Sequence, residues 1–139
     1  MTSFDLARSY MRAVRRRIKS LDLLFAEGGN ADVVRESQEC YELLTKAILR
    51  FLGIDPPKIH DVAPLLRGLL GQLPATIESD IDRICRTSKD LRKDRELSFY
   101  GELDFIPDES YSTEQAQRYI DEVKYLHKVV IEAFHVDLK

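Results

Sequence analysis

The 139-residue chain holds only two cysteines, Cys40 and Cys85. Both fall in stretches that read as helix, and no secretory signal precedes them. They make no disulfide framework and read as buried free thiols of a reducing cytosol. Long apolar runs are also missing. The longest stretch without a charged side chain, Gly68 to Ile77, covers about half of the ~20 residues that a membrane span needs. The expectation is therefore a cytoplasmic protein with no membrane partner. Glycine and proline are few, at six and five, and there is no low-complexity tract or internal repeat. A chain of this length suits one domain, 1–139, around one core. An excess of positive charge is absent too: 21 basic against 24 acidic residues gives a net charge of -3. That balance argues against a dedicated nucleic-acid-binding domain, though not against a local basic patch.

Motifs for several chemistries are missing. No two of the three histidines and two cysteines have metal-ligand spacing on one helix. There is no glycine-rich phosphate loop and no Gly-x-Ser-x-Gly elbow. Metal, nucleotide-triphosphatase and hydrolase readings thus lack support, and no metal site or cofactor is expected.

What the sequence does have is helical periodicity, in five segments. The first runs from about Thr2 to Ala26, with Phe4, Tyr10, Val14, Ile18, Leu21, Leu24 and Phe25 as its apolar stripe. Arg8, Arg12, Arg15, Arg16, Arg17 and Lys19 make its outward face basic. Glycines Gly28 and Gly29 end it. Asn30 is the expected cap of the second helix, whose stripe is Val33, Val34, Tyr41, Leu44, Ala47, Ile48, Phe51 and Leu52. Gly53 suits its C-terminus, and Pro56-Pro57 cannot continue it. Asp61 is placed to cap a third helix bearing Val62, Leu65, Leu66, Leu69, Leu70 and Leu73, which Pro74 ends. The fourth spans about Ala75 to Phe99. Tyr100 to Tyr111 reads as irregular but packed down, through Phe105, Ile106 and Tyr111. Ser112 with Gln115 forms a capping box for the fifth helix, which runs to about His135. No segment alternates with period two. The fold class is all-α, an up-and-down bundle of about five helices.

The most informative segment is the second half of the fourth helix. Arg83, Arg86, Lys89, Arg92, Lys93 and Arg95 crowd it, and Glu102, Asp104, Asp108 and Glu109 follow. One reading is structural: cations meet the helix macrodipole, and Asp82, Asp90 and Asp94 serve as partners on the same helix. The other is an anion-binding surface, with arginines that take phosphate bidentately beside a tyrosine that can stack on a base. A ligand site, if there is one, is expected at Arg92, Arg95, Ser98 and Tyr100. Among the histidines, His60 reads as a residue that fixes its loop, and His127 as a partly buried, satisfied side chain.

The run from Ala31 to Leu49, the loop Pro56-Pro57-Lys58-Ile59-His60-Asp61 and Leu65-Leu66 resemble the second helix, Pro-Pro-Lys-x-His-Asp loop and third helix of HEPN domains. Arg95-Glu96-Leu97-Ser98-Phe99-Tyr100-Gly101, with Phe105-Ile106-Pro107 and Tyr111-Ser112, is similar to a later stretch in a prokaryotic branch of that family. The resemblance covers nearly the whole chain and implies a helical bundle that forms homodimers. It also implies a minimal nucleotidyltransferase as partner, sometimes in a toxin–antitoxin pair. Nuclease relatives cleave RNA without metal through an Arg-x4–6-His motif. Here that motif is absent: no arginine stands five to seven residues before His60, His127 or His135. After Arg95, the first position for the histidine holds Tyr100. A phenol with a pKa near ~10 makes a poor general base at neutral pH.

Three functions follow from these readings. The first is a non-catalytic member that binds nucleotide, RNA or a nucleotidyltransferase through residues 92–102, with no catalytic residue assigned. The second is a metal-independent ribonuclease with an altered site, using Arg95 and Tyr100. The third is a protein-interaction scaffold.

Overall fold

The computed structural model describes residues 2–99 and 107–138. Four long helices dominate it: α1 (Ser3–Ala26), α2 (Asn30–Phe51), α5 (Ile81–Phe99) and α7 (Thr113–Phe134). Three short ones lie between them: α3 (Ala63–Arg67), α4 (Ala75–Ser79) and α6 (Pro107–Ser110). Among the described residues there is no strand, and the architecture is the expected all-α bundle.

Helix α2 is central. Thirteen of its 22 residues are buried, and α1, α5, α6 and α7 all pack against it. Tyr41, Leu44 and Ile48 of α2 meet Met11, Leu21, Leu66, Ile84, Leu91, Tyr119 and Ile120 in one core. A sheathed helix needs apolar residues on most of its circumference, and α2 has them. The α1 stripe lies close to its expected position, with Val14 and Leu21 buried and Tyr10, Ile18, Leu24 and Phe25 packed against the core. Ala7, Met11, Val14 and Leu21 are its buried residues, whereas Phe4 is 50% exposed.

The helix ends explain most of the remaining differences. Thr2 caps α1: its hydroxyl accepts from the Asp5 amide at 3.1 Å, and the Asp5 carboxylate accepts from the Thr2 amide at 2.9 Å. Gly28 and Gly53 both take φ +77°, where a side chain would be strained, and so end α1 and α2. Asn30 is not a cap. It lies inside α2, behind Gly29, and its side-chain amide donates to the Tyr111 carbonyl at 2.9 Å.

The third helix is shorter than expected. From Gly68 the backbone makes i→i-3 turn bonds, Gly71 adopts φ +93°, and Leu65 and Leu70 of the leucine stripe are exposed. The expected fourth helix breaks at Asp80. Ser79 bonds back to the Thr76 carbonyl at 3.0 Å, and Asp80 accepts from the Tyr125 hydroxyl at 2.7 Å. Short polar side chains that compete for backbone partners or for bonds to other helices interrupt a helix in this way. Pro107–Ser110, expected to be irregular, forms the short α6. Tyr111 is buried as expected, while Phe105 and Ile106 lie outside the described residues.

Candidate functional site

The charged residues of α5 sort by the direction they face. Arg86, Lys89, Arg92 and Lys93 are exposed, at spacings of three, three and one, while Ile81, Ile84, Thr87, Ser88 and Leu91 are buried. One side of the helix therefore presents four cations to solvent.

The acids expected to pair with them on the same helix do not. Asp82 accepts from Arg67 of α3 at 2.7 Å, and Asp90 from Arg118 of α7 at 3.0 Å. Asp94 turns inward, where its carboxylate accepts from the Tyr119 hydroxyl and from the Gln115 amide. Its backbone carbonyl accepts from the Tyr111 hydroxyl at 2.6 Å. Same-helix pairs have little to set against these contacts, because an exposed i,i+4 pair is worth only ~0.3–0.5 kcal/mol. Burial and the Asp94 hydrogen bond raise the Tyr119 phenol. Burial, with the nearby Asp94 charge, pushes Tyr111 up to about 12. Both stay protonated and act as donors. Gln115 thus serves two partners: its amide N–H completes the Ser112 cap at 3.0 Å, but its side chain goes to Asp94 rather than back to Ser112.

Arg95 lies one step round the helix from Leu91 and faces inward. Only 23% of its side chain is exposed. It donates to the buried Gln38 and, at 3.3 Å, to Glu39 of α2. Glu39 in turn accepts from Arg17 of α1 at 2.9 Å, so one carboxylate ties α1, α2 and α5. Neither Gln38 nor Glu39 was singled out in the sequence. A signal was present: Gln38 falls in the buried series Val34, Gln38, Tyr41 and Thr45, and a buried amide demands a partner.

Arg83, at the start of α5, is locked as well. It makes three hydrogen bonds to Glu122 of α7, the shortest at 2.9 Å, and lies 3.8 Å over the Tyr125 ring. Of the four sequence-predicted site residues, Arg92 is exposed and Arg95 is bound within the bundle. The Ser98 side chain and all of Tyr100 lie outside the described residues.

The histidines and cysteines are spread apart. His60 donates through Nδ1 to the Glu42 carboxylate at 3.0 Å, so it does join its loop to α2. His127 uses Nε2 to donate to the Met11 carbonyl at 3.2 Å, and burial lowers its pKa. His135 is the left-handed cap of α7, with φ 53°. Burial pushes the Cys40 thiol up to about 12, and both cysteines are free. A thiol held so far above neutrality is a weak nucleophile. Among the described residues no cluster could hold a metal ion, and no helix is long and apolar enough to cross a membrane.

Comparison with curated proteins and with solved structures gives no significant match. The family comparison does: a model of the HEPN domain matches residues 7–133, from the first buried residue of α1 almost to the end of α7, and the chain therefore belongs to the HEPN domain family, a family of nucleotide- and RNA-related or RNase-like proteins.

Proposed function

We propose that this HEPN protein is a binding member of its family rather than a nuclease, and that it takes the phosphates of a nucleotide on the outward face of α5. The observation that carries this reading is the exposed row Arg86, Lys89, Arg92 and Lys93: Asp82, Asp90 and Asp94 are engaged by other helices, and the exposed Glu96 alone leaves the face with an excess of positive charge. Arg92 is the guanidinium of the row nearest the end of the helix, where Ser98 and Tyr100 supply hydroxyls further along the chain. Arg95 holds α5 in place and acts on the ligand through that position.

The altered-ribonuclease alternative asks Arg95 to grip a scissile phosphate. Its bonds to Gln38 and Glu39 count against that, because a phosphate would have to displace a carboxylate already at hand. The same reading includes a single-domain, cytoplasmic homodimer that works beside a minimal nucleotidyltransferase, in a toxin–antitoxin type pair. Light scattering at micromolar concentration tests the dimer, with twice the chain mass expected.

The test of the site is ATP binding by calorimetry to the wild type, Arg92→Ala, Arg95→Ala and Tyr100→Phe. Arg92→Ala is expected to weaken binding about tenfold, the loss of one charge-assisted contact of ~1.4 kcal/mol. Equal binding by the wild type and Arg92→Ala would refute the site. RNA cleavage that disappears in Arg95→Ala would restore the ribonuclease reading.

A further inference from the structure

The loop that joins α2 to α3 runs beside the α5 row. Pro56 and Pro57 stiffen its start, and the Ile59 amide bonds back to the Pro57 carbonyl at 2.9 Å. Two side chains pin it. Asp61 accepts from the Ser88 hydroxyl of α5 at 2.7 Å, and His60 donates through Nδ1 to Glu42 of α2 at 3.0 Å. These pins place His60 along α5. Gln38 of α2 meets Arg95 and Tyr41 meets Thr87, so the two helices run antiparallel and Glu42 stands about level with Ser88. Lys89 follows Ser88 directly. Arg92 lies one turn beyond Ser88 and about 40° round the helix, with a side chain that leans back towards the Ser88 turn. His60 therefore stands at the seam between α2 and α5, on the edge of the row that Arg92 occupies.

We infer that His60 and Ile59 form the nucleoside end of the α5 nucleotide site, with His60 Nε2 accepting a hydrogen bond from a ribose hydroxyl. The inference rests on the proposed function for the phosphates and adds the groups that read the rest of the ligand. The tautomer selects the chemistry. A carboxylate only accepts, so Glu42 fixes the ring hydrogen on Nδ1 and leaves the Nε2 lone pair for another donor. The His60 side chain is 70% exposed, and among the described residues Nε2 has no partner. Glu42 is mostly buried and is also held by Lys46 at 3.4 Å, which keeps the imidazole aimed. Arg86, Lys89, Arg92 and Lys93 of the exposed row can only donate. Phosphate oxygens satisfy such donors but offer nothing to a neutral imidazole. An acceptor at the edge of the row suits a hydroxyl instead, and in a nucleotide the ribose hydroxyls are the donors nearest the phosphates. Ile59, next to His60, is 48% exposed. It offers apolar surface to the face of a base, and one apolar contact beside one aimed polar group is how small-ligand sites are commonly lined.

The test measures binding of ATP, inorganic tripolyphosphate and 2′,3′-dideoxy-ATP to the wild type, His60→Ala, Ile59→Ala and Arg92→Ala. The pH is held about 1.5 above the ordinary imidazole value, and melting temperatures confirm that each variant is folded. His60→Ala is expected to bind ATP about fivefold more weakly and tripolyphosphate as the wild type does. Dideoxy-ATP should bind the wild type about fivefold more weakly than ATP. On His60→Ala the two nucleotides should bind alike, the signature of one shared contact. Ile59→Ala should weaken both nucleotides to the same extent and leave tripolyphosphate unchanged, and an unchanged ATP affinity there overturns the base contact. A His60→Ala protein with wild-type ATP affinity overturns the inference. So does one that loses ATP and tripolyphosphate equally, which makes His60 a phosphate ligand or a prop for its loop, or a wild type that binds dideoxy-ATP as tightly as ATP. The two readings fail separately. If Arg92→Ala weakens every ligand and His60→Ala weakens none, the phosphate row stands and the nucleoside end falls. If Arg92→Ala binds normally while His60→Ala loses ATP alone, the row falls and the nucleoside end stands. A wild type that binds none of the three overturns both.

Discussion

The inward and outward sides of α5 carry similar residue types and put them to opposite uses. Inward, Arg83, Asp94 and Arg95 each reach another helix: Glu122 and Tyr119 on α7, Gln38 and Glu39 on α2. Outward, Arg86, Lys89, Arg92 and Lys93 face solvent. Arg92 and Arg95 are only three residues apart. Composition does not separate them. What separates them is which side of the helix meets α2, and a half-buried charge there is costly unless it is paired. Inward charges therefore contribute to folding, and outward ones are the charges that the proposed function assigns to a ligand.

The largest effect expected from breaking this contrast is at Asp94. Asp94→Ala leaves the Tyr119 hydroxyl and the Gln115 amide without their acceptor, at a cost of about 3 kcal/mol. Urea denaturation should show it as a lower midpoint. An unchanged midpoint would mean that the inward face is not a lock.

Glu39 comes next, because it holds arginines from two helices. Glu39→Ala releases Arg17 and Arg95 and is expected to cost about 1–2 kcal/mol. The value is modest because the carboxylate is partly exposed to solvent. A double-mutant cycle with Arg17→Ala and with Arg95→Ala should show coupling in both cases. Coupling to neither would remove the three-helix tie.

The core also titrates. Burial lowers the pKa of His127 below its ordinary 6.5. The folded state then takes up its proton less readily than the unfolded chain, so stability is full above about pH 6.5 and declines as the pH falls below it. Melting temperatures measured from pH 7.5 to 5.5 should decline, and His127→Gln should flatten the decline. A variant with the same pH profile as the wild type would assign the dependence to other groups.

The smallest effect is expected at Arg67 and Asp82, an exposed pair at 2.7 Å. Asp82→Ala should change stability by no more than about 0.5 kcal/mol. A larger loss would show that outward ion pairs on α5 matter to folding after all.

Local signals made the long elements legible in the sequence. The α2 stripe, the positive-φ Gly53 and the Ser112 cap all appear where the pattern placed them. The errors arose where a long-range partner changed a local preference. Asn30 had every property of a helix cap but is drawn to the Tyr111 carbonyl. Asp80 interrupts a continuous helical pattern because Tyr125, 45 residues on, donates to it. The α5 acids had same-helix cations within reach and took partners on α3 and α7 instead. Periodicity reports which face is apolar, but not which neighbour that face will meet. Arg95 illustrates the second half: Gln38 and Glu39 emerge as its partners only when α2 is docked.

The most direct test of the division between locking and binding charges compares Arg92→Ala and Arg95→Ala, with ATP affinity and melting temperature measured on each. The account predicts that Arg92→Ala keeps the wild-type melting temperature and loses about tenfold in affinity. Arg95→Ala should lose about 2 kcal/mol of stability and, at a temperature where it is still folded, bind less weakened than Arg92→Ala. The contradicting result is the reverse: an Arg95→Ala protein as stable as the wild type but unable to bind, beside an Arg92→Ala protein that binds normally.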